Sequence, residues 1–377
     1  MNCTGVHWLG PVYDMGGYGN VSRNYLRVLE SIGVPVLIES HGGELHRSEI
    51  GEDTYQWIQR LSTTSIGDRV VSVRHGVPSQ FEVANERVRP RKRVGLTLFE
   101  TDRLPHGWAE LCNRMDEVWV PTRFNEHTFA ASGVAPSKLR VLPYALEATS
   151  FYPGIASNKV SFSPPLRGFS FLYVFGFDYR KGFDLLIDAF CREFDRNENV
   201  SLVLKVYVHS GYREERVMKE LRQCVPTDRL FGQIFIILEP FDGKQLLDLY
   251  QACDAYVSVD RAGWGMPAME MMALGKPVIG LNWGGYTEFM DETNGILIEP
   301  EPELVAVDAR LQRDRPEYYL HHRWAEITPA KVGAAMRRVY EDEPLRARIA
   351  RKAAFDIHMG FSIEAVGVRM RELLERN

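Results

Sequence analysis

Between two apolar runs, residues 257–288 hold a set of glycines, two tryptophans and three carboxylates. Gly263 and Gly265 flank Trp264, and Met266 and Pro267 follow. The spacing predicts a strand over 255–259 and a helix over 266–274, stopped by Gly275 and Pro277, with a new strand from Val278 and Ile279. Glycines just before a helix let a ligand reach the backbone. The unpaired N–H groups and the positive helix end then favour an anion, phosphate above all. Glu270 lies one turn in, too far along to cap the helix but close enough to touch whatever the turn holds. Glu288 follows Gly284 and Gly285 and is either a helix-start carboxylate or a ligand of the same group.

A second anion-binding segment runs from Gly176 through Arg180 and Lys181 to Gly182. It follows an apolar run and opens an amphipathic one, so two adjacent cations stand at a strand-to-helix turn, the arginine able to grip two oxygens at once. Taken alone, it also fits a solvated pair. Gly16, Gly17, Tyr18 and Gly19 form a third glycine-rich segment, between the first strand and the helix holding Ser22 to Leu29. His75 follows another strand, and Glu100 and Asp102 follow the next, where they face an acceptor or cap a helix near Pro105. Arg87, Arg89, Arg91, Lys92 and Arg93 make a basic run. It reads as a solvated loop, or as a patch for anionic lipid or an acidic acceptor that would make peripheral membrane contact.

The elements that must position these residues alternate between apolar runs and amphipathic stretches, which predicts parallel sheets flanked by helices. Strands are expected over 3–9, 34–38, 69–73, 94–99, 117–120 and 139–142, with helices over 21–32, 106–113 and 123–131. Thr122 is an N-cap and Gly133 a stop for the last. Residues 153–168, rich in Ser, Pro and Gly, read as a linker. Beyond it come strands over 169–175, 202–208 and 234–238 and helices over 182–194, 213–224 and 243–252. Helices over 329–340, 344–357 and 363–375 close the chain. This gives a domain over 1–152, a second over 169–360, and a terminal helical stretch over 361–377. Open sheets of this kind bind ligands outside the carboxyl ends of their strands.

Bulk properties exclude several classes. A chain of 377 residues with 45% hydrophobic and 25% charged residues is ordinary for a globular protein of two domains. A net charge of −5 argues against a nucleic-acid binder. No apolar run is long enough to span a bilayer and no signal peptide opens the chain, so a cytoplasmic protein is expected. The 5 cysteines and 10 histidines show no metal or redox spacing, so no metal or cofactor is expected. The glycines at 16, 17 and 19 do not make the dinucleotide-binding GxGxxG pattern, which disfavours a dehydrogenase.

The stretch from Gly263 to Glu288 resembles the donor-binding motif of the family 4 retaining glycosyltransferases, which have the GT-B fold of two doubly wound Rossmann-like domains facing a cleft. The match runs through Gly263, Trp264, Gly265, Pro267, Glu270, Met272, Ala273, Gly275, Pro277, Val278, Ile279, Gly284, Gly285 and Glu288. The resemblance implies that Glu270 holds the ribose hydroxyls of a nucleotide sugar, and that Arg180 and Lys181 neutralise the leaving diphosphate. Gly16 to Gly19 would approach the donor phosphates, His75 the transferred sugar, and Glu239 and Phe241 would lie where the nucleobase sits. It also implies that the terminal stretch 361–377 crosses back to complete the first domain, and it implies retention, a front-side route without a protein nucleophile, and a glycan, lipid-linked or small-molecule acceptor.

One position departs. Ala262 stands where the family has a glutamate that contacts the donor sugar. A lost hydrogen bond of that kind costs about 0.5–1.5 kcal/mol, or about 1.5–3 kcal/mol at a charged partner. Asp260 substitutes through a shifted turn, the sugar is held differently, or the protein binds nucleotide sugar or glycan without turnover and supports a partner enzyme. An isomerase would need acid and base carboxylates that the sequence does not identify.

Overall fold

The computed structural model describes residues 3–41, 50–82, 87–208, 211–227, 229 and 232–376. The chain divides into two compact units, Met1–Ala148 with Met359–Asn377, and Thr149–His358. Each is built on a six-stranded parallel sheet with helices between the strands.

In the first unit the strands are β1 (Gly5–Gly10), β2 (Val36–Ser40), β3 (Val70–His75), β4 (Lys92–Leu96), β5 (Glu117–Val120) and β6 (Leu139–Val141). Their order is β2-β1-β3-β4-β5-β6, all parallel. β1 and β3 are buried along their whole length, as expected for strands covered on both faces. The chain leaves β1 to one side for β2 and returns on the other side as β3. The crevice at their carboxyl ends is therefore a topological switch point, the place where such sheets hold ligands.

In the second unit the strands are β7 (Phe169–Gly176), β8 (Val200–Tyr207), β9 (Ile234–Ile237), β10 (Ala255–Val257), β11 (Val278–Leu281) and β12 (Ile296–Ile298). The order is β12-β11-β10-β7-β8-β9, again all parallel. The switch point lies between β7 and β10. The segment from Gly176 to Gly182 leaves the first of these strands, and Ser258 to Gly265 leaves the second. Phe183–Glu193 packs as an amphipathic helix that buries Phe183, Leu186, Ile187 and Phe190 at helical spacing.

Several expected boundaries move. The first helix is Gly17–Ser31, so Gly17 and Gly19 belong to its first turn instead of a loop before it. Gly16 caps that helix with extended backbone, and its N–H donates to the Asp14 carboxylate. The expected linker is held by the second unit: Asn158 donates twice to Asp248, at 2.7 and 3.0 Å, and Phe162 packs on Phe235. The helix Glu52–Leu61 had no counterpart in the sequence reading.

The basic run also resolves differently along its length. Arg91 donates to Leu374 O at 2.8 Å, and the buried Lys92 donates to Leu373 O at 3.1 Å and pairs with Glu117 at 3.3 Å. Those two cations tie the C-terminal helix Ile363–Glu375 to β4, which a solvated patch would not do. Among the described residues no helix is long and apolar enough to cross a membrane.

Candidate active site

The two segments at the switch point of the second unit are fastened to each other. β7 ends at Gly176, and Asp178 then caps a single turn, Tyr179–Lys181, by accepting from Arg180 N at 2.9 Å. Gly182 follows at φ 61°, a left-handed conformation that glycine adopts without strain, and the helix Phe183–Glu193 begins. Both cations reach across to the other segment. Arg180 Nη1 donates to Arg261 O at 2.7 Å, and Lys181 Nζ pairs with Asp260 Oδ2 at 2.6 Å.

Asp260 is buried, and its two oxygens are shared out. Oδ2 takes Lys181, while Oδ1 accepts from Ser258 Oγ and Tyr286 OH, each at 2.6 Å. Burial alone would raise this carboxyl. The charges of Lys181 and Arg180 and the hydrogen bonds from Lys181 and Ser258 overcome it and hold the group at about 2. Asp260 is thus an ionised anchor for Lys181, with most of its acceptor sites taken up inside the protein. The expectation that it takes over the sugar contact of the missing glutamate meets a carboxylate already accepting three hydrogen bonds.

The glycine turn owes its form to a second glycine pair. Gly285 N donates to Ala262 O at 2.7 Å. A Cβ on Gly285 would stand 2.3 Å from Trp264 Cα, and one on Gly284, itself at φ 70°, would stand 2.5 Å from Ala262 O. Gly284 and Gly285 are therefore the surface on which the turn rests. Gly265 sits at φ 113° and leads into the helix Met266–Ala273, whose N-terminus has no side-chain cap and no acidic residue in its first turn. Trp264 packs on Phe289, with ring centroids 5.2 Å apart. The first N–H groups of this helix receive no bond from the side chain of its N-cap residue, which is a glycine. Glu288 ends the short turn Gly284–Glu288 and is half-buried.

Glu270 lies in the same helix, buried, with Oε2 accepting from Tyr250 OH at 2.7 Å. Its Oε1 takes no hydrogen bond from the described residues. Burial raises the carboxyl to about 7, the Tyr250 hydrogen bond working against the rise. Tyr207 is pushed up to about 12 by burial and by the Glu270 charge. A carboxylate in this state gains from two hydroxyl donors, as a vicinal diol would supply.

Glu239 and Phe241 follow β9 and meet a residue the sequence reading passed over. Lys205 on β8 is fully buried, donates to Glu239 O at 2.8 Å, and holds its ammonium 4.0 Å from the Tyr207 ring centroid and 4.9 Å from that of Phe241. Burial lowers it to about 8 against the pull of Glu239. A lone lysine inside an apolar strand was the available signal.

At the switch point of the first unit, the Gly16–Gly19 turn and His75 come together. A Cβ on Gly19 would lie 1.9 Å from Asp14 O, so the turn requires glycine there, whereas one on Gly17 would meet nothing within 4 Å. Tyr18 stacks obliquely on His75, with centroids 5.1 Å apart. His75 is fully buried, and burial and His41 push its imidazole down to about 3. Glu100 is buried and Asp102 pairs with Arg103 at 2.9 Å. The following helix is Trp108–Asn113, with Gly107 as its N-cap residue.

Comparison with known proteins agrees with this architecture. Residues 168–311 match the family model described as glycosyl transferases group 1. That span holds the Arg180–Lys181 turn, the glycine turn, Glu270 and Glu288. No curated protein matches the sequence. Among solved structures, HepE from Anabaena in complex with UDP-glucose is 15% identical over 98% of both chains, with a TM-score of 0.67. A glycosyltransferase from Rickettsia africae is 14% identical, covering 100% of this chain and 98% of its own, with a TM-score of 0.68. Sucrose-phosphate synthase from Thermosynechococcus elongatus is 16% identical over 98% of both chains, with a TM-score of 0.66. At these identities the likeness establishes the fold, which is the GT-B class of two Rossmann-like α/β domains.

Proposed function

We propose that this protein is a retaining glycosyltransferase of the family 4 type that moves a sugar from a nucleoside diphosphate sugar to an acceptor hydroxyl. One observation carries the reading. At the β7/β10 switch point, the Arg180–Lys181 turn is fastened to the segment that opens the uncapped helix Met266–Ala273, and Glu270 lies in that helix. Phosphates, ribose and sheet edge then fall in the order in which a bound nucleotide presents them.

In this reading Arg180, Lys181 and the N–H groups of Gly263 to Met266 stabilise charge on the departing diphosphate, which is electrostatic catalysis. Glu270 accepts the ribose hydroxyls. Glu239 and Phe241 border the base, with Lys205 fixing their loop, while Gly176, Trp264 and Glu288 complete the donor side. Gly16, Gly17, Tyr18, Gly19 and His75 serve the phosphates and the sugar. The bond from the anomeric carbon to the phosphate oxygen breaks, a bond to the acceptor oxygen forms on the same face, and the acceptor proton passes to the leaving phosphate. The protein's own cations carry the charge, so the reaction proceeds without added metal. The acceptor is a glycan, a lipid-linked saccharide or a small molecule.

A second reading is favoured by Ala262 together with the committed oxygens of Asp260: a nucleotide-sugar-binding protein without turnover. Thermal stability of the intact protein against nucleoside diphosphates and their sugars, in the presence of a chelator, tests both. HepE was crystallised with UDP-glucose, which makes UDP the first probe. A rise with one base, lost in Glu270→Ala and in the Arg180→Ala/Lys181→Ala pair, is expected, followed by an α-linked product from an α-linked donor. Absence of any rise at millimolar ligand would sink the donor site. Binding without product from any acceptor would select the second reading.

A further inference from the structure

Two short helices, Ala309–Asp314 and Pro316–Tyr319, lie between β12 and the helix Pro329–Glu341. The strands Val305–Ala306 and Arg323–Trp324 pair antiparallel at their base and close the segment on itself within the second unit. Two of its arginines face the turn Tyr179–Lys181. Arg315, between the two helices, pairs through Nη1 with Asp178 Oδ2 at 3.1 Å. The other oxygen of Asp178 is the one that caps the turn. Arg310 holds its guanidinium 3.8 Å from the Tyr179 ring centroid, and its Nη2 donates to Asp184 Oδ2 at 2.9 Å. Asp308 fixes that guanidinium by accepting from Nε and Nη2, at 3.0 and 2.6 Å. The same segment reaches the other half of the site. Arg261, whose carbonyl accepts from Arg180, donates through Nε to Ala325 O at 2.9 Å, with its guanidinium 4.8 Å from the Trp324 ring centroid.

We propose that Arg310 and Arg315 are positioning residues that clamp the turn Tyr179–Lys181 and set where Arg180 and Lys181 present their charge to a diphosphate. A single turn of this kind is weak by itself, because its hydrogen-bond geometry is poor and it has no neighbouring turns to cooperate with. Its backbone bonds run from Lys181 N to Asp178 O at 2.9 Å and from Gly182 N to Tyr179 O at 3.1 Å. Gly176 before it and Gly182 after it would let it swing. Half-exposed ion pairs add little to the stability of a whole domain. Gathered at Asp178, Tyr179 and Asp184, on both sides of the two cations in sequence, they fix the place of the turn instead. Both arginines act through it. Charge that must meet a departing phosphate works best when it needs no reorganisation, so a clamped turn serves the chemical step as well as binding.

The diphosphate rests on the transferase reading, and the clamp rests on the contacts alone. Hydrogen exchange in the ligand-free protein therefore reads the clamp first. The amides of Arg180, Lys181 and Gly182 are bonded inside the turn, and in Arg310→Met or Arg315→Gln they should exchange roughly tenfold faster, with those of the helix Gly243–Ala252 unchanged. Both arginines are half-exposed, so both variants should fold. Affinities for UDP and for uridine then separate positioning from general loosening. A displaced turn should weaken UDP roughly tenfold and leave uridine unaffected, since only UDP carries phosphates. Unchanged exchange in both variants, or UDP and uridine weakened alike, overturns the proposal. So does a UDP affinity that stays the same while exchange quickens. Faster exchange in a protein that binds no nucleoside diphosphate would sink the transferase reading and leave the clamp standing.

Discussion

Glu270 carries a cost that its environment sets. Burial lifts its carboxyl from an ordinary 4.5 to about 7. Between those values the folded protein keeps a proton that the unfolded chain has already released, so stability falls as pH rises through that window and levels off above it. At about 1.4 kcal/mol per unit, the cost at pH 8 is on the order of 3 kcal/mol. Glu270→Gln keeps the oxygen that accepts from Tyr250 and removes the charge. It should match the unaltered protein near pH 4.5 in urea unfolding and exceed it by up to that amount at pH 8. The same variant should bind nucleotide more weakly, because an amide offers one acceptor oxygen to a diol where a carboxylate offers two. A stability difference that does not change with pH would mean that Glu270 is not held as described. Asp260, by contrast, is kept ionised by Lys181, so two carboxylates ten residues apart sit in opposite states.

At the level of elements, the glycine turn was legible from sequence and its support was not. Two glycines before a helix announce an anion site, but nothing in the spacing says that Gly284 and Gly285 form its floor. Their backbone contact with Ala262 and Trp264 arises only once β10 and β11 pair. Gly285→Ala would drive a methyl group into the Trp264 backbone, which has no flexible end to yield. A loss of about 1–3 kcal/mol in stability is expected, together with loss of nucleotide-induced stabilisation. Gly17→Ala is the counterpart. Its Cβ meets open space within a helix, so stability should rise by about 0.5–1 kcal/mol. If the Gly17 backbone does approach a ligand, binding should fall in the same variant. Thermal unfolding with and without UDP separates the two effects. The alternation of strands and helices was legible for a related reason, since fully buried parallel strands read as continuous apolar runs. Lys205 and the anchor role of Asp260 were not, because each depends on a partner brought close by strand order: 34 residues away for Lys205 and 79 for Asp260.

Across the whole molecule, the last turns of the chain belong to its beginning. The helix Ile363–Glu375 buries Ile363, Val366, Met370, Leu373 and Leu374 and packs along the first helix, Gly17–Ser31. Gly367 marks the close approach, where a Cβ would lie 2.9 Å from Ile32 Cγ2. Ser362 pairs in parallel with Leu146, and Leu146 N donates to Phe361 O at 2.8 Å. Lys92 and Arg91 add three bonds to the terminal carbonyls. Five buried apolar side chains at about 1.5–3 kcal/mol each amount to the whole stability of a typical domain, about 5–15 kcal/mol. A chain ending at Gly360 should therefore lose cooperative folding of its first unit, while the second, with its own sheet and core, stays folded. Limited proteolysis read by mass spectrometry should return a resistant fragment near 149–358 and rapid cleavage within 3–148. Equal protection of both regions in the shortened chain would show that the first unit does not need its C-terminal helix. The sequence suggested this return of the chain but could not establish it. The reason is that the helix itself is an ordinary amphipathic one, and only the bonds from β4 reveal which unit it completes.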